Sequence, residues 1–303
     1  MEKRVYIHEA PNSFESKLIQ IMLGFFRFKK RFTRLVIRNK FPKKPSRIPA
    51  VLNKNNHIEE ISHEERKVWI ITPKSVDPDR LILYFHGGAY LSNISSLHWA
   101  FIRQLLLHTK SRIVVPDYPL APESNCEAVH HFAEMLYLQL LAKYPLEQII
   151  LMGDSAGGGL ALALAQSLNT SKHKKPVHII LLSPWLDVTM SHPDIPMVDA
   201  KDKILSIDGL QKAGQYYAGK MDVKDFCVSP IYGDMSGLCP VSVFIGTHDL
   251  LWPDCKRFRE MLESAGVGYR YFEYPGMFHD WMLVTQMKES GQVIKQISRI
   301  MIS

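Results

Sequence analysis

Beyond residue 67, short runs of apolar and β-branched residues alternate with longer stretches in which apolar residues recur every three or four positions. The short runs cover 68–72, 81–85, 112–116, 148–152, 177–182, 241–246 and 269–274. Several are apolar at every position instead of alternating, as expected of strands covered on both faces. Helical spacing occupies 97–109, 126–143, 158–168 and 256–264, the last stopped by Ala265-Gly266. Strand followed by helix, repeated, predicts an α/β fold with a mostly parallel central sheet and helices on both faces. Two stretches break the rhythm, 1–58 and about 187–223. They predict a body over 59–303 that carries a cap insertion at 187–223 and is preceded by an N-terminal cap or arm.

On one helical wheel at 100° per residue, Met22, Phe25, Phe32 and Val36 lie within about 40° of Leu18, whereas Arg27, Lys30, Arg31, Arg34 and Arg38 gather on the opposite side. Lys29 and Leu23 fall on the wrong sides. Such a basic amphipathic helix suits two compatible roles: a lid whose apolar stripe faces the body, and a helix whose residues, within 14–47, make peripheral contact with an anionic membrane.

Charge sharpens this picture. The net charge is +7, yet twelve Lys or Arg and no acidic residue lie between Ser16 and Ile58, so the remaining 25 basic and 30 acidic residues sum to −5. A mildly acidic body with one basic arm is not the profile of a nucleic-acid binder. Four cysteines, without a C-x-x-C pair or a His at zinc-ligand spacing, predict no structural metal. The opening Met1-Glu2-Lys3-Arg4 precedes no apolar run of signal-peptide length. The greasiest stretch, 18–28, is interrupted by Gln20, Gly24 and Arg27 and falls short of the roughly 20 residues of a membrane span. The expectation is a cytoplasmic protein with reduced thiols.

The chemistry concentrates in a few places. Gly153-Asp154-Ser155-Ala156-Gly157 is a G-x-S-x-G between a predicted strand and a predicted helix, the context of a nucleophile elbow. The glycines permit the sharp turn, and the following helix directs its positive end at the charge that develops on attack. A serine needs a base. In the chain order nucleophile, acid, histidine, His279 qualifies, in the loop Pro275-Gly276-Met277-Phe278-His279-Asp280 after the last strand. The orienting acid belongs at the end of the preceding strand, where Asp249 is favoured and Asp254 is the rival. Asp280 is set aside, because adjacent side chains seldom support each other. His86-Gly87-Gly88-Ala89, after the 81–85 run, offers an oxyanion hole from the amides of Gly87 and Gly88 together with Ala156, with His86 holding the loop. Tyr90, Leu91, Trp185, Tyr216, Tyr217, Phe278 and Trp281 are candidate walls of a substrate pocket.

These motifs, with Asp117-Tyr118-Pro119-Leu120-Ala121-Pro122-Glu123 and Asp249-Leu250-Leu251, resemble the hormone-sensitive lipase family of α/β-hydrolases over about 81–279. Departures are Ala89 for the third glycine, Pro119 where the family usually has Arg, and a second acidic residue, Asp254, one position later than usual. The resemblance implies the α/β-hydrolase fold with a helical cap. It also implies a carboxylesterase acting on short- to medium-chain acyl esters through Ser155, Asp249 and His279, without metal or organic cofactor. A small-molecule binder on the same fold, or a peripheral membrane protein with little catalysis, are the competing readings.

Overall fold

The seven apolar runs all become strands of one nine-stranded sheet in the computed structural model, which describes residues 4–76 and 78–302. In chain order the elements are β1 (Val5–Ile7), α1 (Phe14–Phe25), α2 (Phe28–Ile37), α3 (Val51–Asn55), β2 (Asn56–His63), β3 (Arg66–Pro73) and β4 (Arg80–Phe85). Next come α4 (Ser96–Thr109), β5 (Arg112–Pro116), α5 (Cys126–Lys143), β6 (Gln148–Asp154), α6 (Ser155–Thr170) and β7 (His178–Leu182). The chain then forms α7 (Ile195–Asp199), α8 (Ile207–Ala218), β8 (Val241–Gly246), α9 (Trp252–Ser264), β9 (Tyr269–Tyr274) and α10 (Lys288–Ile302).

The strand order is β1-β9-β8-β7-β6-β4-β5-β3-β2, parallel except where β3 meets β2 and β5. Alternate side chains divide the core. Leu81, Leu83, Ile149, Leu151, Ile179 and Leu181 face α5, α6 and α9, whereas Ile82, Tyr84, Ile150, Met152, Ile180 and Leu182 face α4 and α10. Burial on both faces is why these strands lack polar alternation.

The two sheet edges have no counterpart among the apolar runs. β1 has three residues and is held by the His8 amide on Glu273 O (2.9 Å) and the Tyr271 amide on Arg4 O (2.8 Å). β2 is polar, and its Glu60 accepts from Lys67 Nζ (2.6 Å) and Trp69 Nε1 (2.9 Å). An exposed edge strand tolerates such charge, which hides it from a hydrophobicity pattern.

The described part of the segment 1–58 is thus composite: an edge strand, two principal helices, the short α3 and the start of β2. The single wheel does not survive, because Arg27 adopts a left-handed conformation (φ 50°) and separates α1 from α2. On α2 the expected side is inward: Val36 is buried, Phe32 packs on the core, and Lys29 pairs with Asp199 Oδ1 at 2.8 Å. On α1 it is outward, since Leu18, Met22 and Phe25 are exposed while Ile19 and Leu23 pack against the body. α2 lies on α8, with Thr33 Oγ1 and Ser206 Oγ 2.6 Å apart.

Candidate active site

Parallel strands deliver their loops to one end of the sheet, and the chemistry gathers there. Pairing of Phe85 with Gly153 sets the loop after β4 beside the turn after β6. That turn is tight: a Cβ on Gly157 would lie 2.0 Å from Phe85 O, and one on Gly153 2.3 Å from Gly157 O. Ser155 itself has φ 50°, a strained position for a side chain, and opens α6. The elbow expected from the sequence is therefore present in backbone form.

Ser155, Asp249 and His279 meet. His279 Nδ1–H donates to Asp249 Oδ2 (2.9 Å), and Nε2 accepts from Ser155 Oγ (3.0 Å). All three are buried. The loops bearing the acid and the histidine are stitched together by the His248 amide on Met277 O (3.0 Å) and the Gly276 amide on Thr247 Oγ1 (2.8 Å). Asp254 lies elsewhere, buried on α9, with neither carboxyl oxygen partnered among the described residues.

The oxyanion-hole expectation needs one correction. The Gly87 amide is committed to Asp154 Oδ2 at 2.9 Å. Among the described residues no protein acceptor meets the amides of Gly88, Ala89 or Ala156. The available loop donors are therefore Gly88 and Ala89, one position later than expected, with Ala156 at the start of α6. The cause is register: the strand pairing that sets Gly87 beside Asp154 is not visible in the motif alone. Asp154 also accepts from Tyr84 Oη and from His98 Nε2 (3.1 Å). Burial opposes its charge, but the His98 cation and the Tyr84 hydroxyl hold the Asp154 carboxyl below its ordinary range. His86 stacks on Tyr118 (centroids 4.4 Å) and donates from Nδ1 to Gly87 O (2.8 Å), so it braces its own loop. Burial pushes it down to about 3, leaving the ring neutral.

Two acids that were not expected at the site complete it. Asp280 Oδ2 lies 3.1 Å from His279 Nε2, beside the hydrogen bond to Ser155. Its left-handed backbone (φ 53°) gives the adjacent side chain a reach that an extended residue lacks, against the expectation for neighbours. Burial opposes the His279 cation, yet Asp249 and Asp280 override it and raise the imidazole well above its usual value. Burial likewise pushes Asp280 up, to about 7. Asp202, from the 187–223 insertion, accepts the Leu250 amide on Oδ2 (2.8 Å) and the Ile204 and Leu205 amides on Oδ1 (2.7 and 2.8 Å). It ties the insertion to the residue following Asp249. Asp202 stands alone in a non-repeating segment, with no motif to mark it.

The candidate pocket walls separate. Tyr90, Leu91, Trp185 and Tyr217 are buried in the core that faces α5 and α6, with Tyr90 stacked on Tyr217 (centroids 3.5 Å) and 5.8 Å from Trp185. Tyr216 is partly buried beside them. Phe278 and Trp281 instead pack in the core on the α4 and α10 side, where Trp281 lies 5.1 Å from Tyr274. The two groups thus belong to different core clusters, although Phe278 immediately precedes His279, which reaches Ser155.

Comparison with known proteins gives a consistent result. A family model described as an alpha/beta hydrolase fold matches residues 82–283. An esterase of Acinetobacter venetianus is 33% identical over 222 residues, covering 72% of this chain and 73% of that one. A crystal structure from Staphylococcus aureus superposes with a TM-score of 0.79 at 31% identity, covering 88% of this chain and 90% of that one. An esterase from the bacterial hormone-sensitive lipase family superposes at a TM-score of 0.81 with 23% identity, covering 96% and 98%, a likeness of fold.

Proposed function

Since the chain belongs to the hormone-sensitive lipase family of α/β-hydrolases and is a carboxylesterase- and lipase-like hydrolase, we propose that it cleaves short- to medium-chain acyl esters through a Ser155 acyl-enzyme. The supporting observation is the continuous chain Asp249–His279–Ser155, with links of 2.9 and 3.0 Å.

The hydroxyl of Ser155 attacks the ester carbonyl carbon while its proton passes to His279 Nε2. The carbonyl π pair moves onto oxygen, where the amides of Gly88, Ala89 and Ala156 receive it. Collapse of the tetrahedral species expels the alcohol, which takes the proton from Nε2. Water then repeats the cycle: it loses a proton to Nε2, adds to the acyl carbon, and releases the acid with Ser155 restored. Asp249 keeps the proton on Nδ1 and stabilises the transient cation. The same reading includes peripheral contact of residues 14–47 with an anionic membrane, supported by their charge.

Ser155→Ala is expected to lower kcat/KM on a chromogenic short-chain ester by roughly 10³-fold or more and to remove the acyl-enzyme burst. Turnover within tenfold of the parent would reject this function for Ser155.

A further inference from the structure

α1 presents apolar residues on two sides. Its inner side carries buried Ser16 and the packed Ile19 and Leu23, and Gln20 Oε1 lies 3.5 Å from His248 Nδ1. Its outer side carries Phe14, Leu18, Ile21, Met22 and Phe25, at i, i+4, i+7, i+8 and i+11, which form one row along the helix. Phe14 is 76% exposed, Ile21 68% and Phe25 79%, and Phe26 continues the row. A soluble surface scatters single apolar residues but rarely lines them up.

Arg27, Lys30, Arg31, Arg34 and Arg38 follow immediately, exposed and in no ion pair among the described residues. Lys29 is the exception, turned inward onto Asp199. An apolar row beside unpaired cations matches the boundary between acyl chains and anionic headgroups. A second copy of the chain matches it poorly, because a two-fold contact would set this cationic cluster beside its own image.

We infer that the outer face of α1 and the cations of α2 form an interfacial docking surface for anionic lipid, with Phe14, Leu18, Ile21, Met22 and Phe25 inserted. This deepens the membrane contact proposed above by naming the face. It also orients the enzyme. Ser13, the N-cap of α1, donates from its amide and hydroxyl to Glu289 (2.6 and 2.8 Å). Asn12 is close enough to Gly276 that a Cβ there would lie 2.6 Å from its Nδ2. α1 therefore rests on the loops that carry Asp249 and His279, and docking sets the catalytic end of the sheet at the lipid, where acyl esters partition.

The test is cosedimentation of the full chain with vesicles of phosphatidylcholine containing roughly 30% phosphatidylserine, against pure phosphatidylcholine, at low and high salt. The parent is expected to bind the anionic vesicles and to weaken in high salt. Ile21→Asp/Phe25→Asp, which removes insertion, and Arg31→Glu/Arg34→Glu, which reverses charge, are each expected to lower binding by at least about tenfold. Both variants should hydrolyse a water-soluble ester within about twofold of the parent, since none of these residues reaches the catalytic groups. Ser155→Ala should bind vesicles like the parent, so loss of the ester reading would leave this result standing. Absence of binding to anionic vesicles at low salt would overturn the inference. Equal binding by the Asp variant would do so too, as would a parent dimer that this variant dissolves without any vesicle binding.

Discussion

At Asp280 a residue adjacent to His279, the proposed base, becomes part of its electrostatics. Two carboxylates bracket one imidazole, Asp249 at Nδ1 and Asp280 at Nε2. An ionised Asp280 stabilises the imidazolium and thereby removes the base; Asp154 and Asp249 oppose that ionisation, and His279 favours it. In Asp280→Asn the second anion is gone, so His279 is expected to lose its proton at lower pH. The acidic limb of the kcat/KM profile should then move to lower pH, by about tenfold in proton concentration. An unmoved limb would show that the 3.1 Å contact has no hold on the base.

A second residue makes a prediction for stability. Asp254 is buried without a partner among the described residues, and burial together with Asp187 pushes it up from 3.8 to about 7. The folded state thus holds a proton that the unfolded chain releases. Its contribution is complete below the unfolded value and declines as pH rises to about 7. Asp254→Asn should flatten that decline, with urea midpoints converging at pH 5 and the variant ahead at pH 8. Parallel midpoints for both proteins at the two pH values would contradict it. Residues of this kind separate the legible from the hidden: Ser155 and His279 stand inside recognisable patterns, and Asp249 lies in the loop just after a strand. The fate of the Gly87 amide depends instead on which strand lies beside β4, a fact distributed over the whole sheet.

At the scale of elements, the insertion and the N-terminal helices act on the site through few links. Lys29 donates its amide to Lys203 O (3.0 Å), and Asp202 next to it carries the Leu250 amide. Asp202→Ala is expected to lower kcat by roughly tenfold, with KM nearly unchanged, because it loosens the loop that sets Asp249 without touching substrate. A smaller loss in Asp202→Asn, whose single carbonyl oxygen can still accept on one of the two sides, would mark the role as positioning; equal loss in both variants would count against it. The long periodic elements are legible here, and α5, β5, β8 and β9 have the bounds their patterns predict. α1 and α2 are not, since hydrophobic spacing reports an apolar face but not a left-handed break at Arg27. Nor does it say which of two apolar sides is held inward by a buried polar residue such as Ser16.

For the whole molecule, strand and helix alternation is legible because both faces of the sheet are covered, which strips the strands of polar positions. Its edges are not, because β1 is short and β2 is charged. The consequence for function is geometric. Three residues spread over 125 positions of chain reach one end of the sheet because β6, β8 and β9 run parallel. The most direct check is a fluorophosphonate probe followed by peptide mapping of the labelled protein. One adduct, on the peptide containing Ser155, is expected in the parent, with labelling slowed by roughly 10³-fold or more in His279→Ala. Ester hydrolysis that persists while Ser155 stays unlabelled, or an adduct on another serine, would contradict it.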